Sequence, residues 1–321
     1  MSALQDSLHT FGPQAGHILD LWRLTLLICT AVFTLVLLGF LYAIWRAPKA
    51  GPHTPPDLGA FEHSEPTLQR NVIAAVIVSA ALLLVLVGAS VWTDRVLAQM
   101  SLRDALHVQV TAHQWWWEIQ YDDAQPARVF TTANELHVPV GRPVVLTLKS
   151  DDVIHSFWVP NLAGKKDLIP GRTAQMQFRA DKAGVYRGQC AEFCGYQHAW
   201  MAFLVVADEP SRYEAWAAGQ RQAPPPPADP VAARGMRIFL GSTCVMCHNI
   251  AGTDASARKA PDLSHLGSRQ TLAAGALPNN AEKLAAWIAE PQKIKPGVNM
   301  PAHAFAPDDL HALVVYLESL K

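Results

Sequence analysis

Residues 188–201 read GQCAEFCGYQHAWM, and Cys190, Glu192, Cys194, His198 and Met201 all fall inside that stretch, between two strand-like runs. An earlier histidine, His155 in DDVIHSFWVP, stands ahead of another strand-like run. Thiolate, thioether and imidazole are soft or borderline donors, and together they select copper, or else zinc or an iron–sulfur cluster. Outward from this loop lie LHVQVTA, WWWEIQY, ARVFTT, ELHVPV, PVVLTLKS, TAQMQFRA and MAFLVVAD, short runs rich in β-branched and aromatic residues and separated by Gly, Pro, Asn and Asp. That pattern predicts an all-β sandwich or barrel.

A sandwich that presents one histidine from a strand edge and Cys, His and Met from a late loop suits a single copper ion, but such sites use one cysteine and this loop has two. Two thiolates spaced i, i+4 can bridge a pair of copper ions, with one histidine for each ion. Met201 is then a weak end ligand and a backbone carbonyl, such as that of Glu192, fills the last position. A bridged pair shares its unpaired electron, so little geometry changes on reduction. Two other readings use the same residues: a Cys190–Cys194 disulfide on the outer face of a membrane, and a Cys2His2 zinc site, which has no redox role and leaves Met201 unused.

Upstream, two apolar runs, 24–45 and 72–92, contain no charged residue. At 1.5 Å per residue each makes a helix of about 32 Å, enough to cross a bilayer core. Tyr42, Trp45 and Trp92 stand near their ends, where aromatic anchors belong. The segment before them has no basic start and does not read as a cleaved signal peptide. The loop between the runs carries Arg46, Lys49 and Arg70, whereas the N-terminal stretch has only Arg23. This bias places the loop inside and both termini outside. Of the 321 residues, 50% are hydrophobic and only 17% charged, below the roughly 25% charged residues of soluble domains. A net charge of −1 argues against a general nucleic-acid binder.

Downstream, EPSRYEAWAAGQ reads as a short surface helix and RQAPPPPADP as a polyproline II linker. About ten such residues span up to ~30 Å. Beyond it Cys244-Val245-Met246-Cys247-His248 is C-x-x-C-H, in which each cysteine can add to a haem vinyl group and the histidine then ligates the iron from below. VAARGMRIFLGS before it, and AEKLAAWIAE and APDDLHALVVYLESLK after it, read as helices. Met300, in the irregular IKPGVNMPAHAF, is the candidate for the sixth ligand, with His265 and His303 as rivals.

The pattern CAEFCGYQHAWM, with DDVIHSF, KDLIPGR and HQWWW, behind a two-helix anchor, resembles cytochrome c oxidase subunit 2 over about residues 18–217; the last ninety or so residues resemble class I cytochromes c. The resemblance implies a multidomain membrane protein: an N-terminal segment and transmembrane hairpin over 1–95 with helices at about 20–46 and 70–93, an all-β cupredoxin sandwich over 96–220, a linker over 221–230, and a small all-α cytochrome c domain over 231–321. It implies a binuclear copper (CuA) centre on His155, Cys190, Glu192 through its carbonyl, Cys194, His198 and Met201, and haem c on Cys244, Cys247, His248 and Met300. Pro261 would orient His248 through its carbonyl, and Trp115 would be the point of electron entry. The Glu192 carboxylate would also reach a magnesium ion at the contact with subunit 1. The family often carries a glutamate at the head of the second membrane helix; TLQRNVIAA stands there, and Glu62 and Glu65 lie earlier.

The function so implied is electron entry into a terminal oxidase. Electrons would pass from cytochrome c or another external donor through haem c and CuA to a catalytic subunit 1 with haems and copper, which reduces O2 to water with proton translocation. Other oxidase subunits and the lipid bilayer are the further expected partners, and nucleic acid is not one. The expected location is a bacterial-type inner membrane, multi-pass, with the cupredoxin and cytochrome domains on the periplasmic side. A CuA-bearing subunit of a nitric oxide reductase and a non-enzymatic, membrane-anchored copper-binding protein are the alternatives.

Overall fold

Strand β1 (Leu106–His113) buries Leu106, Val108, Val110 and Ala112 and turns the residues between them outward, as alternation along a pleated strand requires. The same alternation makes β2 (Trp116–Tyr121), which buries Trp117, Ile119 and Tyr121. In this computed structural model, which describes residues 4–47, 49, 51–55, 58, 59 and 65–321, two five-stranded sheets follow. With β3 (Phe130–Ala133), β5 (Val144–Ser150) and β8 (Ala174–Phe178), one sheet has the order β3-β2-β1-β5-β8. The other, of β4 (Glu135–Pro139), β6 (His155–Trp158), β7 (Lys166–Leu168), β9 (Gly184–Cys190) and β10 (Ala202–Asp208), has the order β4-β10-β9-β6-β7. The sheets meet on packed aromatic rings: Trp117 lies 5.9 Å from Phe157 and 5.1 Å from Phe203, centroid to centroid. Helix α3 (Pro210–Gln220) then covers one end, burying Tyr213 and Ala217 and stacking Trp216 on His137 at 4.0 Å.

The described residues form two units, His17–Met100 on one hand and Ser101–Lys321 with the N-terminal segment up to Gly16 on the other. The hairpin consists of α1 (Pro13–Arg46) and α2 (Glu65–Ala98), each of 34 residues and so about 51 Å long. Both are long and apolar enough to cross a bilayer. They outrun the charge-free runs because no proline interrupts the flanking turns between Gln14 and Arg46 or between Thr67 and Ala98. Glu62 lies outside the described residues. The segment ahead of Gly16, grouped with the hairpin on sequence, lies against the sandwich. Leu4 N–H donates to the Val185 carbonyl at 2.9 Å and Phe11 N–H to that of Asn161 at 2.7 Å.

After α3 the proline-rich stretch takes no regular structure, and its first residue, Arg221, lies over the Phe130 ring at 5.7 Å. Asp229 caps α4 (Pro230–Leu240) by accepting from Val231 N–H and Ala232 N–H at 3.2 and 3.3 Å. A two-stranded hairpin, β11 (Thr271–Leu272) with β12 (Leu277–Pro278), precedes α5 (Ala281–Ala289), the one-turn α6 (Pro291–Ile294) and α7 (Pro307–Ser319). Gly235 lets α4 and α7 touch, since a Cβ there would lie 1.9 Å from the Ala312 carbonyl oxygen. The fold is thus a two-helix apolar hairpin, a β-sandwich of two five-stranded sheets and a small, mostly helical C-terminal domain.

Candidate functional site

Cys190 closes β9, Met201 leads into β10, and the loop between them carries Cys194 and His198. Because β9 and β10 pair antiparallel, Cys190 N–H donates to the Met201 carbonyl at 2.9 Å and folds the loop back on itself. His155 opens β6, which also pairs with β9 and so carries the histidine to Cys190. His155 Nδ1 lies 3.8 Å from Cys190 Sγ, and His198 Nδ1 lies 3.5 Å from Cys194 Sγ. Cys194 Sγ is 3.7 Å from Met201 Sδ, and Cys190 Sγ is 3.1 Å from the Glu192 carbonyl oxygen. The ligand atoms of His155, Cys190 and Cys194 lie within 4.8 Å of one another, and all three residues are buried. Both cysteines are free, so the disulfide alternative is not formed.

These atoms fit a pair of soft ions: two sulfurs stand between two imidazoles, with a thioether and a carbonyl at the periphery. The Asp152 carboxylate takes His155 Nε2 at 2.7 Å, which leaves Nδ1 for a metal. Burial opposes the charged imidazole, but Asp152 and Cys190 outweigh it and hold His155 above its ordinary pKa. The Cys190 thiol is pulled down because Cys194 donates to it, with His155 adding to the effect against burial. Asp152 also accepts Gln114 N–H at 2.5 Å, while Gln114 Nε2 and Trp115 Nε1 donate to the Cys194 carbonyl at 2.8 and 3.0 Å. Gly195, at φ +106°, has room for no side chain, since a Cβ would stand 2.9 Å from Gln114 Nε2 and 3.3 Å from the Trp115 ring.

On the far side of Trp115 opens a cavity of about 640 Å³, lined by Cys244, Cys247, His248 and Met300 and by apolar walls that include Phe239, Leu284, Trp287 and Leu313. His248 Nδ1–H donates to the Pro261 carbonyl at 2.7 Å, which leaves Nε2 as the nitrogen a metal can use. Burial holds the imidazole below its ordinary pKa, favouring the neutral form a metal needs, against the Pro261 bond. A paired cysteine set, a neutral histidine and a methionine on an apolar cavity fit a covalently attached haem. His303 also lines this cavity, whereas His265 does not; it is buried beside a second cavity of about 360 Å³, with both ring nitrogens unpartnered. Gln292, unmarked in the sequence, clamps the Met300 loop: Nε2 donates to the Val298 and Met300 carbonyls at 2.7 and 2.9 Å, and Oε1 accepts Gly297 N–H at 2.9 Å.

Residues 106–208 match the family described as cytochrome C oxidase subunit II, periplasmic domain, and residues 232–321 match cytochrome c. A cytochrome c oxidase subunit 2 from Alkalihalophilus pseudofirmus is 34% identical over 315 residues, covering 97% of this chain and 89% of that one. One from Bacillus sp. (strain PS3) is 36% identical over 231 residues, covering 68% and 63%. The crystal structure of the periplasmic domain of subunit II of cytochrome oxidase (CoxB) of Bradyrhizobium japonicum is 30% identical, with a TM-score of 0.35, and covers 38% of this chain and 97% of that one. The sulfur–imidazole loop and the C-x-x-C-H cavity thus stand in matched domains in a chain aligned over almost its whole length, and the chain belongs to the cytochrome c oxidase subunit 2 family, in the form that carries a fused cytochrome c domain.

Proposed function

We propose that His155, Cys190, the Glu192 carbonyl, Cys194, His198 and Met201 hold the binuclear CuA, and that Cys244, Cys247, His248 and Met300 hold haem c. The boundaries proposed are a hairpin portion to 95, a cupredoxin domain over 96–220, a linker over 221–230 and a cytochrome domain over 231–321. Copper and haem, when bound, would supply one-electron chemistry, and the role proposed for the chain is electron entry from an external donor to a catalytic subunit that would reduce O2 with proton translocation. The observation that carries the reading is Trp115. Its indole donates to the Cys194 carbonyl, and the same residue is among those lining the C-x-x-C-H cavity, so one aromatic residue adjoins both candidate centres. Asp152 fixes the donor nitrogen of His155, and Pro261 fixes that of His248. The Glu192 carboxylate is the proposed contact to magnesium at the subunit 1 interface, and the sandwich and cytochrome domain are proposed to face the periplasm.

The test is metal and optical analysis of the purified full-length chain. Two copper ions with a many-line resonance spectrum, and one haem that stays with the polypeptide after acid–acetone extraction, are expected. No copper, or a Cys190–Cys194 bridge in the chain as isolated, overturns the reading. A His198→Ala variant should lose the copper signal and keep the haem.

A further inference from the structure

Two buried charged side chains, one from each domain, reach across the seam between the sandwich and the cytochrome domain, and each grips the other's backbone. Lys295, only 2% exposed, extends from the end of α6 and donates from Nζ to the Trp115 carbonyl and to the Ala273 carbonyl, both at 2.9 Å. Glu135, 3% exposed at the start of β4, accepts from Gln270 N–H at 2.5 Å and Thr271 N–H at 3.2 Å. Burial opposes the charged form of the Lys295 amine and Cys194 offsets this only in part, an arrangement that costs stability unless the position itself is needed. Backbone atoms are also stricter targets than flexible side chains, because they fix the register of the two domains as well as their proximity.

The rest of the seam agrees. Gln197 Nε2, from the copper loop, donates to the Pro296 carbonyl at 2.7 Å, and Ala202 N–H donates to the Ala274 carbonyl at 2.9 Å. Ala273 and Ala274 sit at φ +52° and +58°, a conformation that L-residues with a side chain rarely hold. Both strained carbonyls face partners that fix them, Lys295 and Ala202. A Cβ built on Gly297 would stand 3.7 Å from the Trp115 ring, so the Met300 loop closes on the indole.

We propose that Lys295 and Glu135 form a reciprocal latch that holds the cytochrome domain in one fixed pose, with its cavity closed on Trp115, in place of a tethered domain that docks by collision. This rests on the copper and haem assignments above. Lys295 and Glu135 are positioning residues: neither is a proposed copper or haem ligand, though Lys295 also lines the C-x-x-C-H cavity, and they act through Trp115 and through the 270–274 segment.

The experiment uses the full-length subunit in detergent and compares wild type with Lys295→Met, Glu135→Leu and Glu135→Gln. Amide hydrogen exchange over 197–204 and 268–276 reports the seam directly. Intramolecular electron transfer after flash reduction reports its consequence. In the wild type the seam should be protected and the transfer rate should not depend on viscosity. Lys295→Met and Glu135→Leu should open both segments to exchange and slow transfer roughly tenfold or more, since small misplacements of a reacting pair carry losses of that order, and the rate should become viscosity-dependent. Glu135→Gln, which keeps a carbonyl acceptor, should behave as wild type. Fast seam exchange or viscosity-dependent transfer in the wild type overturns the proposal, and so do variants with an unchanged seam. Should the chain bind no copper or haem, the cofactor reading fails, while the exchange data still decide the latch.

Discussion

Tyr213 shows how a single buried group ties the fold to solution conditions. Its hydroxyl lies under α3, and burial, with a smaller contribution from Glu214 against Arg142 and Arg221, pushes its pKa from 10.0 up to about 12. The neutral phenol is the form the fold accepts. Its contribution is therefore complete below pH 10 and lost as the pH rises through about 12. By proton linkage that shift corresponds to about 2–3 kcal/mol. Tyr213→Phe should keep the packing and remove part of the alkaline loss, seen as a smaller fall in chemical-denaturation stability of the sandwich between pH 9 and 12. Buried Tyr121, whose pKa burial also raises, accounts for a remaining share. An equal loss in the variant and the wild type would show that Tyr213 does not titrate with unfolding.

Among the elements, the crossing of α4 and α7 is the least forgiving. A methyl group at position 235 would meet the Ala312 carbonyl at 1.9 Å and the Tyr316 Cβ at 2.7 Å, so the helices must part. Gly235→Ala should destabilise the cytochrome domain by about 1–3 kcal/mol or more, measured as a lower midpoint of denaturant unfolding followed in the haem band, with the copper signal unmoved. The helix and its apolar face were legible in VAARGMRIFL, but the need for glycine was not, because Ala312 lies far along the chain. The same distinction runs through the sandwich. β1, β2, β5 and β10 announce themselves by β-branched and aromatic runs, whereas β9 is broken by Gly184 and Gly188, and β6 reads His-Ser-Phe-Trp with no alternation. Strands of that kind form because neighbours pair with them, and a local reading cannot see the neighbours. Five of the proposed copper ligands share one loop and the C-x-x-C-H motif is contiguous, so both constellations were legible. Asp152 and Gln292 act on near neighbours that no motif links to them, and Glu135 and Lys295 act at long range; nothing beside them in the sequence marks a lysine as buried or a glutamate as an interdomain acceptor.

At the scale of the whole molecule, the two units differ in the surface they offer. Along α1 and α2, Leu27, Phe33, Leu35, Leu84 and Trp92 are each more than two-thirds exposed, an apolar belt that water does not tolerate over such a length but a bilayer does. The chain should remain in the membrane pellet after an alkaline carbonate wash, followed by immunoblot, whereas a chain starting at Ser101 should be released. Release of the full chain by the wash would contradict anchoring through the hairpin.

One consequence reaches past the chain itself. Trp115 is only 9% exposed and lies close to both Gly195 and the Gly297 turn, so on the proposed reading an external carrier would meet the cytochrome module and not the indole. Were that so, the choice of carrier could drift through substitutions on the surface of that module while the copper-side residues stayed as they are.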